Sequence, residues 1–349
     1  MAPVITAQSS SQTIIAGNSA TFSVTATGTW PLTYQWKHND QVISGQLIAG
    51  ATSSGLTLNN VKASDAGSYT VVVTNEAGSV TSDAAVLTVD AQAPAAPDHG
   101  WVFSEQDGET AGPTFGDAAG TLSGGVVWDG EDPFGGGGSV SFDGSDGTVV
   151  MEDLADAFNG LSNFSLSIWI KANDTGIDKG FWEAVDSGGG DLWGLRYDSV
   201  GYTAKGSDVI KLGITTSESG GDTNRGVDQQ ETHEGTQTTE WQHIVMTWED
   251  GVGFNLYIDG ELDEPTLAME NTAGTLALMD RFVLGDGAKG YWDGHIDEVA
   301  VWASTLTAEN AAWLAKNSIA SLGAGGGDGP ALSIVNNGDG TVTVTFEGT

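Results

Sequence analysis

The densest group of chemically active residues in this sequence is the twelve-residue stretch YWDGHIDEVAVW, positions 291–302. It contains acidic, imidazole and aromatic side chains, which serve acid–base catalysis, metal binding and sugar binding. It also alternates like a β-strand, with Asp297 on the side of Val299 and Ile296 on the other. Because both sides are apolar, a carboxylate at Asp297 is costly unless it is paired or binds a cation. These uses and a plain core strand remain open at this point.

A second candidate site is the irregular segment FWEAVDSGGGDLWGLRYDSVGYTAKGSD, positions 181–208. Proteins bind sugars with aromatic faces that stack on apolar C–H surfaces and with polar groups that align the hydroxyls. This segment supplies both, and a turn nearby in the sequence adds another tryptophan. We predict a ligand-binding surface formed by Trp182, Trp193, Arg196, Tyr197, Tyr202 and Trp292. The alternative is that Trp193 and Tyr197, four positions apart and hence on one side of a strand, fill the core.

Motifs for catalysis are missing from the sequence. Glycoside hydrolysis needs two carboxylates about 5–10 Å apart that face one cleft. Adjacent Asp297 and Glu298 would instead point to opposite faces of their strand. No G-x-S-x-G, H-E-x-x-H or phosphate-binding loop occurs, and His243 alternates with Trp241 and Val245 as a packed strand residue would. We therefore predict that the chain is not an enzyme.

The composition limits the partners. The 349 residues include 11 Lys+Arg and 47 Asp+Glu, a formal net charge of −36, which repels nucleic acid and anionic membranes. That charge serves either solubility in a salty or calcium-rich medium or the binding of cations. The absence of cysteine excludes a disulfide framework and zinc–thiolate sites. The sequence contains no run of about 18 apolar residues, the length that would predict a membrane span. Its first residues, MAPVITAQ, lack the features of a signal peptide.

Residues 1–90 contain short alternating segments, ATFSVTA, LTYQWK, GLTLNN and SYTVVV, separated by turns. Four inward-facing sets predict two sheets closed over one core. With Trp36 on the third strand and the corner DAGSY ending at Tyr69, the segment resembles the immunoglobulin fold. The resemblance implies that Val24 and Val71 occupy the family's two cysteine positions. Packing must then replace the roughly 2–4 kcal/mol that the cross-link supplies.

Residues 101–322 show the same alternation at wider spacing. The segments that carry a resemblance are GSVSFDGSDGTVVM, NFSLSIWIK, TEWQHIVMTWEDGVGFNLYIDGE and GYWDGHIDEVAVWASTLTAE. In this order they resemble a laminin-G-like, concanavalin A-like jelly roll. The predicted fold class is thus all-β, an immunoglobulin-like sandwich followed by a jelly-roll sandwich. The one clear helical pattern is TAENAAWLAKNSIA, about 307–320, with a threonine cap.

The jelly-roll resemblance sharpens the metal hypothesis. In that fold the first and last strands lie side by side, so Asp143 and Asp297 could converge. Carbonyl groups from the FDG turn would complete a calcium shell of about 6–8 oxygens. Members of the family often carry one calcium at the sandwich rim, and we therefore predict a structural calcium held by Asp143 and Asp297. The alternative is that Asp143 caps a turn and Asp297 accepts hydrogen bonds from backbone amides.

Two linkers divide the chain. Residues 91–100 form a Pro/Ala joint, and 323–349 comprise a glycine linker followed by a hairpin that we expect to begin a further, truncated β domain. The leading functional hypothesis is a non-catalytic binding module of a large secreted or cell-surface bacterial protein, with a polysaccharide or surface glycan as partner. The alternatives are a structural spacer or adhesion region and a protein-binding module. Other domains of the parent protein are expected partners.

Overall fold

The computed structural model describes residues 1–43, 50–135, 137–185, 191–199, 208–214, 228–263, 267–268, 274–276, 279–286, 290–323, 331–336 and 342–347. Strands dominate, which confirms the predicted all-β class. The chain divides into two units, Met1–Gln92 and Ala93–Thr349. Among the described residues, no helix has the length and apolar character needed to cross a bilayer.

The described residues of the first unit form ten strands and one 3₁₀ turn, Ala63–Asp65. The strands are β1 (Val4–Ala7), β2 (Gln12–Ile15), β3 (Ala20–Ser23), β4 (Thr25–Thr27), β5 (Thr33–His38), β6 (Gln41–Val42), β7 (Gly55–Leu58), β8 (Gly67–Asn75), β9 (Gly78–Thr81) and β10 (Ala85–Asp90). One sheet has the order β2-β10-β8-β5-β6, with β9 also on β8; β1 pairs with β4, and β3 pairs with β7.

The core of the first unit follows the predicted alternation. Trp36, Val24 and Val71 are all buried in one cluster, so the valines pack where the family has its cross-link. The hydroxyl of Tyr69 donates to the carbonyl of Asp65 at 2.7 Å. Burial raises the pKa of Tyr69 to about 12, which keeps this donor protonated. The predicted tyrosine corner is therefore present.

The second unit begins its strands within the predicted linker, because His99 already pairs with Val301. Its strands are β11 (His99–Trp101), β12 (Thr110–Ala111), β13 (Gly120–Ser123), β14 (Val126–Asp129), β15 (Ser139–Asp143), β16 (Thr148–Met151), β17 (Asn163–Ala172), β18 (Lys179–Val185), β19 (Asp191–Asp198), β20 (Val209–Ile214), β21 (Asp228–Glu231), β22 (Gln242–Glu249), β23 (Gly253–Ile258), β24 (Glu261–Leu262), β25 (Leu267–Ala268), β26 (Arg281–Leu284), β27 (Asp293–Trp302), β28 (Ala331–Asn336) and β29 (Val342–Glu347). Its helices are a 3₁₀ turn (Glu152–Leu154), α1 (Ala155–Phe158), α2 (Ala308–Leu314) and α3 (Ala320–Gly323).

Two large sheets form the second unit. Sheet I has the order β14-β15-β27-β17-β22-β23-β24, with β11 on β27, and sheet II has the order β12-β13-β16-β26-β18-β19-β20-β21-β25. Alternate residues of both sheets meet in one core that includes Phe164, Trp182 and Ile296. The hairpin β28–β29 forms its own antiparallel pair, as predicted.

Among the described residues, helix α2 covers one part of the outer face of sheet I, the face that points away from this core. Ala311 and Leu314 of α2 pack with Val245 and Trp302 in a second apolar cluster. Helix α2 starts at the predicted cap, where the Thr307 hydroxyl accepts the N–H of Asn310. The opposite end of the same strands is left for other contacts.

A β-bulge in β27 corrects the predicted alternation. Ser167 pairs with Ala300 but Trp169 pairs with Asp297, so β27 carries one extra residue here. Glu298 accommodates it with a positive φ of 51°. Because of this extra residue, Asp297 lies on the outer face of sheet I, opposite to the core-facing Val299.

Candidate functional site

The predicted aromatic surface is wrong for Trp182, Tyr197 and Trp292, which are fully buried. The Trp182 ring lies 5.0 Å from Phe282, and the Tyr197 and Trp292 rings lie 5.2 Å apart. All three rings belong to the core cluster between the two sheets, where large aromatics fill the space. For Tyr197 the alternative prediction, a side chain that fills the core, is therefore the correct one.

The Tyr197 hydroxyl supports this structural role. It donates to Oε1 of Gln242 at 3.1 Å and accepts the N–H of Thr238 at 3.2 Å. Burial raises the pKa of Tyr197 well above its usual value. No sugar could reach this hydroxyl without opening the sandwich.

Among the predicted ligand-binding residues whose side chains the structure describes, Arg196 is partly exposed to solvent. It lies on the outer face of sheet II, where its Nε and the Nζ of Lys211 both donate to Oδ2 of Asp198, at 3.3 and 3.0 Å. Trp193 lies on β19 opposite Ala184, but its side chain and all of Tyr202 are outside the described residues. A role for Trp193, Arg196 or Tyr202 in ligand binding stays a prediction.

The predicted convergence of Asp143 and Asp297 is wrong. Asp143 pairs with Asp293, and Asp297 lies four positions farther along β27, about 13 Å away at the usual strand rise. The Asp143 carboxylate instead accepts the N–H of Ser145 at 2.9 Å. It lies so close to Gly125 that a Cβ there would be 2.3 Å from its oxygens. Asp143 thus has the turn-capping role that was the alternative.

Asp297 and Glu298 form a pair of buried acids. Oδ1 of Asp297 accepts the N–H of Glu298 at 2.7 Å. Glu298 accepts the Ser318 hydroxyl at 2.5 Å and the N–H of Ile319 at 2.7 Å, which fastens β27 to the chain before α3. Burial, followed by the neighbouring charge of Glu298, raises the pKa of Asp297 to about 10. Burial raises the pKa of Glu298 to about 7, and the charge of Asp132 makes a smaller contribution to both shifts.

The described acids do not assemble into a three-residue metal centre. In the part of the chain that the structure describes, no three His, Asp or Glu side chains are grouped closely enough to hold an ion. Both oxygens of Glu298 are already occupied by the donors from Ser318 and Ile319. Asp143 and Asp297 therefore do not form the predicted calcium shell, and calcium binding by this chain stays a prediction.

His243 is packed, as predicted. It is fully buried on the outer face of sheet I, where Nε2 lies 2.8 Å from the Ser167 hydroxyl. Its ring lies 5.0 Å from that of Trp169. Burial lowers the pKa of His243 to about 3, so the imidazole is neutral at pH 7.

An open groove occupies the uncovered end of this outer face. It has a volume of about 580 Å³ and is lined by Gly130, Glu131, Asp132, Gly135, Gly137, Lys171 and Trp241. Trp241 is half-buried directly before β22, with its ring 6.1 Å from that of His295. We call this concavity the Trp241 groove.

One wall of the Trp241 groove is formed by the described part of the connection between β14 and β15, positions 130–135 and 137–138. The carboxylate of Asp132 accepts backbone N–H groups from Phe134, Gly135 and Gly137, the second at 2.9 Å. A Cβ on Gly137 would lie 2.7 Å from Oδ2 of Asp132, so only glycine permits this close approach. Phe134 packs edge-on against Trp169 at 5.3 Å, which holds the loop against the sheet.

A salt bridge spans the groove from this loop to the sheet. Nζ of Lys171 donates to Oε2 of Glu131, and the two side chains are 27% and 48% exposed. Both groups can therefore exchange this contact for hydrogen bonds to a ligand. This groove was not predicted from the sequence, although the glycine-rich run GEDPFGGGG indicates a backbone that can approach other groups closely.

Comparison with protein families confirms both resemblances. Residues 2–75 match a family model described as an immunoglobulin domain. Residues 142–312 match a laminin-G model described as the concanavalin A-like lectin/glucanases superfamily. The chain carries an immunoglobulin-like domain followed by a concanavalin A-like domain.

Individual relatives match only short parts of their own length. Endoglucanase C of Cellulomonas fimi is 39% identical over 101 residues, 28% of this chain and 9% of that protein. Adhesion G-protein coupled receptor D1 of Homo sapiens is 29% identical over 124 residues, 32% of this chain and 14% of that protein. Among solved structures, titin domain M7 is 32% identical to this chain, with a TM-score of 0.24. The match covers 26% of this chain and 98% of the titin domain.

Proposed function

We propose that the concanavalin A-like domain of this chain is a non-catalytic binding module for a polysaccharide or surface glycan, and that the Trp241 groove is its binding site. The observation that carries the proposal is an open concavity with a half-buried tryptophan beside exposed, hydrogen-bonding charged groups. The indole face offers the apolar surface on which a sugar ring stacks. Lys171 and Glu131 offer a donor and an acceptor for its hydroxyls.

The shape of the groove also favours a chain-like ligand. It is open along the outer face of sheet I, so a polysaccharide can enter without a free end. The wall loop is held in place, because Phe134 packs on Trp169, which also contacts His243. Rigid sites lose little conformational entropy on binding.

The similarity of this chain to known proteins also supports the proposal, although the proposal is based on the groove. The matched superfamily takes its description from lectins and glucanases, and one relative is named an endoglucanase. We propose that the chain binds rather than cleaves, because the described groove acids already have partners: Glu131 pairs with Lys171, and Asp132 accepts three backbone N–H groups. A secreted or cell-surface location in a bacterium belongs to the same proposal.

Trp241→Ala tests the site. We expect at least a tenfold loss of glycan affinity, because truncation of a central aromatic contact typically removes this much. The free energy of unfolding should change by less than about 1 kcal/mol, since the ring is half-exposed. Titration of immobilised glycans with the full chain measures the first quantity, and urea unfolding measures the second.

Trp30→Ala is the matched control, since Trp30 is 84% exposed in the first unit. It should leave glycan affinity unchanged. If Trp241→Ala binds glycans like the unaltered chain, the groove is not the site. If the unaltered chain binds no glycan but binds a protein ligand, the protein-binding alternative replaces the proposal. If it binds neither a glycan nor a protein, the spacer alternative replaces it.

A further inference from the structure

The first unit carries an exposed tryptophan that the proposed glycan site does not use. Trp30 lies in the loop between β4 and β5. It is 84% exposed, more than any other large hydrophobic residue among those that the structure describes. Tryptophan is enriched among the residues that dominate the binding energy of protein interfaces. Trp30 therefore marks a candidate contact surface of the first unit.

The loop that carries Trp30 is held in place by Asn75, at the end of β8. The Nδ2 group of Asn75 donates to the carbonyl of Thr29 at 2.8 Å and to that of Met1 at 2.9 Å. The N–H of Thr29 also donates to the carbonyl of Met1, at 3.0 Å. The backbone beside Trp30 is thus fixed before a partner binds, and a preformed site loses less conformational entropy on binding.

A concavity adjoins the Trp30 ring, and we call it the Trp30 pocket. It has a volume of about 330 Å³ and is lined by Met1, Thr29, Trp30, Pro31, Asn75, Glu76 and Ala77. This volume accommodates one side chain of a partner. The exposed indole offers a larger area than that one side chain covers, so a protein segment fits this surface better than a free small molecule.

The side-chain charges at this end of the first unit favour a cation. Glu76, which is exposed, is the acidic side chain that lines the Trp30 pocket, and no basic side chain lines it. Residues 1–90 contain two lysines and no arginine. Both lysines lie toward the opposite end of β8: Lys37 pairs with Thr70, and Lys62 precedes the 3₁₀ turn that leads into this strand.

We propose that the Trp30 pocket binds an arginine side chain presented by a partner protein. A guanidinium stacks on an indole face through a cation–π contact and donates paired hydrogen bonds to a carboxylate. Trp30 and Glu76 supply these two groups in the lining of one pocket. A second copy of the chain is disfavoured as the partner, because each copy has a net charge of −36. This site is separate from the Trp241 groove and adds a protein partner to the proposed glycan ligand.

The probe is a blocked glycine–serine peptide with one arginine, titrated into the full chain at about 150 mM salt, where long-range attraction is screened. The signal is the NMR resonance of the Trp30 indole N–H, identified as the one that Trp30→Ala removes. We expect a saturable shift of this resonance. The same peptide with citrulline, which has the shape of arginine without its charge, should bind at least about fivefold more weakly.

Three changes to the chain test the charges. Glu76→Gln should weaken binding of the arginine peptide by at least about threefold. Acetylation of the Met1 amino group, which lines the pocket and donates to the Thr29 hydroxyl, should strengthen binding because it removes a competing positive charge. Asp40→Asn is the matched control, since Asp40 lies beyond the other end of β5, a strand about 17 Å long. It should bind like the unaltered chain.

A shift of the Trp30 resonance that weakens with citrulline and in Glu76→Gln supports the proposal. The absence of a shift, equal affinity for the two peptides, or unchanged affinity in Glu76→Gln overturns it. A dimer that sedimentation detects and Trp30→Ala abolishes also overturns it, because a second copy then occupies the surface. Trp241→Ala should leave the peptide affinity unchanged, so this inference and the proposed glycan site fail independently.

Discussion

Replacing Trp182 with alanine is expected to lower the free energy of unfolding of the second unit by about 3–5 kcal/mol, the usual cost of truncating a buried tryptophan. The ring is fully buried between Phe164, at 6.2 Å and nearly parallel, and Phe282. Its removal leaves a cavity between two sheets whose strands are fixed by their ladders, so the site cannot collapse to fill it. Urea unfolding followed by circular dichroism measures the loss.

Two comparisons make the Trp182→Ala result decisive. The transition of the first unit should not move, since Trp182 belongs to the second unit. Trp241→Ala should show the reverse pattern, a large loss of affinity with little loss of stability. If Trp182→Ala instead abolished glycan binding at unchanged stability, the surface that we predicted from the sequence would be right and the buried position wrong.

The second large effect concerns Asp297. Its folded-state pKa of about 10 lies above the ordinary value of 3.8, so the folded chain keeps a proton that the unfolded chain releases between these pH values. The contribution of Asp297 to the free energy of unfolding is therefore fully present below about pH 4. It is lost as the pH rises toward 10, by about 1.4 kcal/mol per pH unit. Asn is neutral in both states and resembles the protonated acid. Asp297→Asn should thus be stabilising at pH 8 and nearly neutral at pH 4.

Melting curves of the unaltered chain and Asp297→Asn between pH 4 and pH 9 test this expectation, with and without calcium. Asp143→Asn is the control, since Asp143 is the other predicted calcium ligand but is exposed at the end of β15. A calcium-dependent rise in Tm that Asp297→Asn removes would contradict the expectation. It would show that Asp297 holds a cation rather than a proton.

Part of the pH dependence should survive in Asp297→Asn. Glu298, whose pKa is raised to about 7 by its burial, binds a proton in the folded state between its ordinary 4.5 and that value. Its stabilising effect is lost over this lower range. Above about pH 7 the variant should therefore have a flat profile, where the unaltered chain still loses stability.

The sequence by itself determined the elements and the identity of both folds. Alternation of side chains with a period of two identifies a strand from local residues alone, because burial of one face requires it. The immunoglobulin corner at Asp65 and Tyr69 and the cap of α2 at Thr307 are equally local, since the residues that bond lie within four positions. These features needed no knowledge of distant parts of the chain.

Only the tertiary structure decided which faces are covered and which residues meet. The extra residue at Glu298 moves Asp297 to the other face of β27, and a shift of one position cannot be seen in a pattern that is apolar on both sides. The register of β15 on β27 places Asp143 beside Asp293. The Trp241 groove joins positions 131, 171 and 241, which long-range strand pairing brings together. The same aromatic residue is a binding surface or a core residue according to what packs on it, and that depends on strands far away in the sequence.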